Sequence, residues 1–478
     1  MPRTITVLEI ALTAKRRWLW LVGAALLLAG LYLANLTRMG LVGPDEPRYA
    51  DVGRGMATSG DWVTPRLWGE PWFEKPALLY WMTAAGFKAG FDADLAPRLP
   101  VALLSLAFLV FFWWRVNGEW GARTASFATA ILATSAGWLT YSEIAVTDLP
   151  LAVFFSAAVL LSLGWIARGE TRSLAAATAC LAVATLAKGL VPLALFVPVA
   201  ALRWRRIGDW FRPAPLVAFA VIALPWYILC TLRNGTQFLQ VFFIQHHFER
   251  FTANNLQHVQ PWWFYLPILL VLLFPWFPLL GAIKVNQDSR LRALAAMVTF
   301  GFVFFSVAVN KLPGYLLPLL PCASILMAAG LERARAWWGL TVSIGIAALL
   351  PVAVEVGPDV LAHGLRGIQL PWGWMAACLA AGFLLGLLLY ELMGSAARMA
   401  PIAFILVGLA FVGFEFMAFP RFDREVSARP WWRSGHPPCV PEGLSRNTLY
   451  GLYYYSERVI PASKLCNVLD PAKLPVVR

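Results

Sequence analysis

Residues 45–66, DEPRYADVGRGMATSGDWVTPR, hold a high density of acids and bases in a chain that is otherwise strongly apolar. The segment opens with the adjacent acids Asp45 and Glu46, and Arg48 and Arg54 follow. A carboxylate can remove the proton of an attacking hydroxyl, and guanidinium groups bind phosphate in a fixed geometry. The charges alone leave two interpretations open: a solvated interfacial helix braced by ion pairs, or a reaction site for an anionic lipid substrate.

The rest of the chain has the composition of an integral membrane protein. Hydrophobic residues make up 59% of it and charged residues 14%, and the mean hydropathy is +0.65. The apolar residues form repeated blocks of roughly 17–22, enough to cross about 30 Å of hydrocarbon. We therefore predict an all-α polytopic membrane protein with about thirteen transmembrane helices and no nucleic-acid partner. The predicted spans lie near 18–36, 98–115, 124–141, 148–166, 173–187, 188–203, 214–231, 262–282, 293–309, 314–331, 337–354, 372–392 and 399–418.

The distribution of basic residues predicts the orientation of these spans. Lys15, Arg16 and Arg17 precede the first span, so we expect a cytoplasmic N-terminus. With thirteen spans, every short loop on that side is basic and nearly free of acids, and the C-terminus lies outside. The fifth and sixth spans nearly abut at TLAKGL, and merging them would give twelve and invert the charge pattern downstream. Thirteen spans are therefore favoured.

This topology divides the chain into a membrane domain, residues 1–418, and a small exported tail, residues 419–478. Two further outside segments are too long to be simple turns, namely the first loop at 37–97 and a second loop at 232–261. The tail carries Cys439 and Cys466, and an oxidising compartment would allow a disulfide between them. The spacing of the two cysteines leaves their pairing open.

Residues 45–81 resemble the first extracytoplasmic loop of a known superfamily. It comprises the bacterial aminoarabinose transferases and protein O-mannosyltransferases, which are glycosyltransferases of the GT-C fold that use polyprenyl-phosphate sugars. The shared elements occur in order as an Asp-Glu pair, Arg-Tyr-Ala, Ser-Gly-Asp-Trp and Phe-Glu-Lys-Pro. The resemblance continues through AVTDLPLAVFF, TLAKGLVPLAL, FFIQHHFERFT and KLPGY, as far as about residue 320.

The resemblance implies roles for particular residues. The implied catalytic residues are Asp45, Asp148 and Glu46, with Asp45 as the base or as a group that positions the acceptor. The implied substrate-binding residues are Arg48, Tyr49, Arg54, Lys75, Lys188, Arg250, His258, Lys311 and Tyr315. Glu74 and His247 could share a divalent metal ion. For the cations, the alternative is attraction to ordinary lipid headgroups, and for Asp45 it is helix capping or an ion pair with Arg48.

The implied function is transfer of a sugar from an undecaprenyl-phosphate donor to lipid A, at the periplasmic face of a bacterial inner membrane, by a monomeric enzyme. One candidate sugar is 4-amino-4-deoxy-L-arabinose. The alternatives are a related transferase acting on a protein or another glycan, and a transporter of lipid-linked sugars without catalytic activity. The sequence departs from many relatives at Gly55, Ala77, Leu79 and Val146. These departures leave the sugar and the acceptor open.

Overall fold

The computed structural model describes residues 22–249, 259–285, 288–331, 336–364, 368–435, 439–463 and 466. These residues are mainly helical, as predicted. The helices up to residue 249 are Val22–Tyr32, Asp45–Ser59, Leu78–Lys88, Leu95–Trp120, Ala122–Ala133, Ala136–Glu143, Asp148–Arg168, Leu174–Lys188, Val191–Leu195, Val197–Ala201, the 3-10 helix Trp204–Phe211, Pro213–Leu239 and the π-helix Gln240–Glu249. The later helices are Trp262–Phe264, Tyr265–Leu272, Phe277–Ala282, Ser289–Val307, Pro313–Leu319, Leu320–Gly330, Ala336–Ala347, Leu350–His363, Trp372–Met393, Ala396–Val426, Arg429–Gly435 and Arg446–Ser456.

Seven helices of the described chain are long and apolar enough to cross a membrane. A further pair, Ala336–Ala347 and Leu350–Leu361, is bent by 53° and counts as an eighth if it forms one span. Each of the remaining predicted spans contains a shorter or interrupted helix; the chain breaks, for example, at Gly189, between the predicted fifth and sixth spans. The structure is that of a multi-pass membrane protein, and the count of thirteen spans stays a prediction.

The helix Asp148–Arg168 lies at the centre of the bundle. In its apolar stretch 89% of the residues are buried, compared with 17% for Trp372–Met393. It packs against Leu174–Lys188 and Leu95–Trp120. Because Asp148 begins this central helix, a fixed scaffold holds the carboxylate.

The first loop is folded rather than extended. The helix Asp45–Ser59 packs on Leu78–Lys88, and the strands Arg66–Leu67 and Glu70–Pro71 form a short antiparallel hairpin between them. Asp45 and Glu46 lie in the first helical turn, where acidic side chains interact favourably with the helix dipole. The helix ends at Gly60, whose φ of 73° suits a left-handed cap.

The tail folds against this loop as a small cap, which comprises the described residues after Val426. Its strands Val440–Pro441 and Ala462–Ser463 pair in parallel. Cys439 and Cys466 form a disulfide, which closes the cap around the helix Arg446–Ser456. That helix contacts Asp45–Ser59, so the two ends of the described chain meet at one end of the bundle.

Candidate active site

The side chain of Glu46 ties the first-loop helix to the bundle. Its carboxylate accepts from Arg98 at two atoms, Nε to Oε1 at 2.7 Å and Nη2 to Oε2 at 2.8 Å. It also accepts from the backbone N–H groups of Val42, at 2.8 Å, and Ala145, at 2.9 Å. Ala145 lies three residues before Asp148, so this bond holds the loop that leads into the central helix against the helix that begins with Asp45.

Asp45 sits beside Glu46 but faces outward. Its side chain is 37% exposed, while the side chain of its ion-pair partner Arg48 is only 7% exposed. Arg48 also donates through Nε to the Pro44 carbonyl oxygen at 2.8 Å, and its Nη1 lies 3.4 Å from Glu74 Oε2. The arrangement presents an accessible carboxylate next to a fixed guanidinium group.

Glu74 and Lys75 extend this group of charges. Lys75 Nζ lies 2.8 Å from Glu74 Oε1, and both side chains are largely buried. Tyr49 is almost fully buried and makes an edge-on contact with Tyr80, with ring centroids 5.9 Å apart. Burial raises the pKa of the Tyr49 phenol well above its ordinary value. As the structure stands, Tyr49 packs in the wall of the site rather than facing a substrate.

A second group of charges lies at the start of the central helix. Lys188 Nζ is 2.7 Å from Asp148 Oδ1 and 4.5 Å from the centre of the Tyr315 ring. Lys188 is the last residue of its helix, and Tyr315 lies in the 3-10 helix Pro313–Leu319. Three of the predicted residues, far apart in sequence, therefore meet.

Tyr141 lies beside the second group of charges. It accepts a hydrogen bond from the backbone of Gly314. A Cβ atom at Gly314 would lie 2.4 Å from Asp148 Oδ1 and 2.8 Å from the Tyr141 ring. The backbone can approach the carboxylate this closely only because residue 314 has no side chain.

Two predicted substrate-binding residues make other contacts. Arg54 Nη2 donates to Asp51 Oδ1 at 2.5 Å and to the Tyr454 carbonyl oxygen at 2.8 Å, which docks the cap. Lys311 is buried, and its amine donates to the carbonyl oxygens of Gln260, at 2.9 Å, and Ala308, at 2.5 Å. Burial lowers the pKa of the Lys311 amine. These contacts favour structural roles for both residues, and their predicted binding roles stay untested.

The remaining predictions fall partly outside the described residues. Arg250 and His258 lie outside them, as does the side chain of His247. Within the described part of the chain, no group of three or more metal-ligating side chains comes together. Glu74 is engaged by the two cations Lys75 and Arg48, a set of contacts that fits an ion-pair network better than a metal ligand.

Sequence reasoning missed three residues that shape the site. Arg98 carries a charge at the start of an apolar span, a position at which a charge normally needs a partner or a function, and this signal was available. Nothing in the local sequence marked Tyr141 or Gly314, because both matter only through their proximity to Asp148 in the folded chain.

Comparison with known proteins places this arrangement in a family. Residues 18–242 match the family model described as dolichyl-phosphate-mannose-protein mannosyltransferase. An undecaprenyl phosphate-alpha-4-amino-4-deoxy-L-arabinose arabinosyl transferase 2 of Pseudomonas fluorescens is 33% identical in an alignment of 396 residues that covers 75% of this chain and 67% of the relative. The chain belongs to the superfamily of the aminoarabinose transferases and protein O-mannosyltransferases.

A second relative and a solved structure support the same family assignment. The undecaprenyl phosphate-alpha-4-amino-4-deoxy-L-arabinose arabinosyl transferase of Edwardsiella ictaluri is 32% identical in an alignment of 375 residues that covers 73% of this chain and 65% of the relative. The chain thus spans about two thirds of the length of these relatives. The crystal structure of ArnT from Cupriavidus metallidurans bound to undecaprenyl phosphate has a TM-score of 0.70 and 27% identity, and the match covers 95% of this chain and 89% of that one. The predicted GT-C fold is confirmed.

Proposed function

We propose that this protein transfers a sugar from an undecaprenyl-phosphate donor to lipid A at the periplasmic face of a bacterial inner membrane. The observation that carries the proposal is the accessible Asp45 carboxylate held beside the buried Arg48 guanidinium. The Asp148–Lys188 ion pair at the start of the central helix supports it. The names of the relatives support the donor, and 4-amino-4-deoxy-L-arabinose is the candidate sugar.

The reaction breaks the bond between the anomeric carbon and the donor phosphate while an acceptor oxygen forms a new bond from the opposite side. Negative charge grows on the departing phosphate, so fixed cations stabilise the transition state more than the ground state. Arg48 and Lys75 are suited to this task because both are held by neighbouring acids before the substrate arrives. The reaction inverts the configuration of the anomeric carbon.

Asp45 acts at the acceptor. An acceptor hydroxyl requires a base, and the exposed Asp45 carboxylate can remove its proton. A phosphate acceptor already carries an anionic oxygen, and Asp45 then orients the acceptor or the sugar. Glu46, predicted to be catalytic, accepts four hydrogen bonds in a buried position. We assign it a positioning role.

Asp148 and Lys188 form the second side of the site. Their ion pair is only partly exposed to solvent, and it lies at the start of the central helix, beside Gly314 and Tyr141. Asp148 contacts the sugar in this proposal, and Lys188 with Tyr315 fixes its direction. Glu74 and His247 stay the predicted ligands of a divalent metal ion, and no step described here depends on a metal.

Mass spectrometry of lipid A and of the polyprenyl-phosphate pool, from cells with and without this protein, tests the proposal. We expect a sugar-sized addition to lipid A that depends on the protein, and accumulation of the donor when the protein is absent. Unchanged lipid A would rule out this acceptor.

A second candidate is a polyprenyl-phosphate-dependent transferase that acts on a protein. The match of residues 18–242 to the mannosyltransferase family model favours it. A transporter of lipid-linked sugars is less well supported, because the clustered charges lie at helix ends rather than in mid-span. If the acceptor is a protein, cells that contain this transferase should yield glycopeptides that are absent from cells without it, and lipid A should be the same in both.

A further inference from the structure

The tip of the first-loop hairpin is built around a tryptophan in an unfavourable backbone conformation. Trp68 has φ of 53° and Gly69 has φ of 88°, between the strands Arg66–Leu67 and Glu70–Pro71. Two positive φ angles are typical of tight hairpin turns, in which asparagine, aspartate and glycine are favoured. A bulky residue in this conformation costs free energy, and such residues cluster at binding and active sites.

The Trp68 ring lies against the cap without being covered by it. Its centroid is 5.4 Å from that of Tyr450 and 5.2 Å from that of Tyr453. Trp68 is nevertheless 37% exposed. The first loop and the cap therefore form an aromatic surface together, and we call Trp68, Tyr450 and Tyr453 the aromatic patch.

Two arginines flank the patch. The Arg48 guanidinium lies 5.3 Å from the centre of the Tyr450 ring, and the Arg446 guanidinium lies 5.5 Å from it. Arg446 also donates through Nε to Tyr450 Oη at 3.3 Å. Arg48 is the ion-pair partner of Asp45, so the patch is continuous with the proposed active site.

We propose that the aromatic patch, with Arg446, is the acceptor subsite and binds a phosphorylated sugar headgroup. This inference rests on the proposed function and deepens it. The faces of aromatic rings pack against the apolar C–H faces of sugar rings, and they do so with little loss of conformational freedom. The Arg446 guanidinium beside Tyr450 selects an anionic phosphate substituent. The subsite would bring the acceptor to the exposed side of Asp45.

Equilibrium binding to the full-length protein in detergent tests this inference without requiring turnover. The probes are bis-phosphorylated lipid A, its monophosphorylated form, and undecaprenyl phosphate. We expect Trp68→Ala and Tyr450→Leu to weaken binding of bis-phosphorylated lipid A about tenfold and to leave undecaprenyl phosphate binding within about twofold. Tyr450→Phe should bind like the wild type, and the monophosphorylated probe should bind more weakly than the bis-phosphorylated one.

A matched control distinguishes direct binding of lipid A by the aromatic patch from an indirect effect of loosening the contact between the cap and the first loop. Tyr454→Phe removes the hydrogen bond from Tyr454 Oη to the Ala93 carbonyl oxygen, 2.5 Å long, at another contact between the cap and the loop. We expect it to lower the melting temperature without changing lipid A affinity. Equal loss of lipid A affinity in Tyr454→Phe and Trp68→Ala, or equal loss of lipid A and undecaprenyl phosphate affinity in Trp68→Ala, would overturn the inference.

The outcomes distinguish this inference from the proposed function. If the wild type binds lipid A through Trp68 but transfers no sugar to it, the proposed function fails and the subsite stands. If the wild type transfers sugar to lipid A while Trp68→Ala binds lipid A normally, the subsite alone is wrong.

Discussion

The Glu46 carboxylate and the Arg98 guanidinium form a two-point ion pair, with bonds of 2.7 and 2.8 Å, from which solvent is excluded. Arg98 also donates to the carbonyl oxygens of Leu36, at 2.8 Å, and Gly40, at 2.9 Å. Both charges are therefore compensated inside the protein, and the pair joins the first loop to the bundle. Removing either charge should therefore lower the stability of the fold, and any loss of transferase activity should follow from that.

Replacing Glu46 with glutamine should lower the free energy of unfolding by about 3 kcal/mol or more, because the buried Arg98 charge would lose its partner. The melting temperature in detergent measures this change. The exposed pair of Arg168 and Glu170 provides the control, and Glu170→Gln should leave the melting temperature nearly unchanged. A Glu46→Gln protein of normal stability without transferase activity would restore the catalytic role that the sequence predicted.

Asp148 and Lys188 should behave as one unit in kinetics. Asp148→Asn and Lys188→Met should each lower kcat/KM by about a hundredfold, and the double variant should lose little more than either single variant. The reason is that each change alone already breaks the 2.7 Å ion pair. Steady-state assays of the four proteins measure the coupling. Multiplicative losses would show that the two side chains act independently.

Gly314→Ala should lower kcat by about tenfold or more, since a displacement of a reacting group by a fraction of an ångström is costly. The added Cβ would lie 2.4 Å from Asp148 Oδ1 and force the carboxylate to move. Gly413→Ala is the matched control, because its Cβ would meet nothing within 4 Å, and it should retain activity. Wild-type kinetics for Gly314→Ala would mean that the position of Asp148 is not critical.

Asp51 lies at the contact between the first loop and the cap, and its protonation should make the free energy of unfolding depend on pH. Burial raises the pKa of its carboxyl above the ordinary 3.8, although Arg54 acts in the opposite direction. The folded state therefore holds this proton more tightly than the unfolded state. The resulting stabilisation is complete below 3.8 and is lost as the pH rises through the raised pKa.

Asp51→Asn removes this titration. Its melting temperature minus that of the wild type should therefore rise between about pH 4 and about pH 7. A difference that is constant over this range, or that falls, would contradict the assignment.

The fold class and much of the site could be predicted from the sequence. The length of the apolar blocks indicated the membrane helices. The ordered motif named Asp45 and Arg48, which form an ion pair, and Asp148, Lys188 and Tyr315, which lie together; their roles in catalysis and binding stay predictions. Asp45 and Asp148 each begin a helix and Lys188 ends one, placements that the boundaries of the spans largely determine.

The rest depends on tertiary contacts that local patterns do not contain. The positioning role of Glu46 follows from its burial against Arg98, which is 52 residues away. The contact of Tyr450 with Arg48 requires the cap to fold back on the first loop. For the same reason, counting charges could not show that Arg54 holds the cap whereas Arg48 pairs with Asp45.

The most direct test of the central claim is transfer of labelled sugar from purified undecaprenyl-phosphate aminoarabinose to lipid A, by the wild type and by Asp45→Asn. The substitution removes a side-chain charge that is 37% exposed, so folding should be preserved and a melting curve can verify it. We predict transfer by the wild type and a loss of about a hundredfold or more in the variant. Transfer by Asp45→Asn at the wild-type rate would contradict the role of Asp45, and a wild type that is inactive with this donor and acceptor would contradict the proposed reaction.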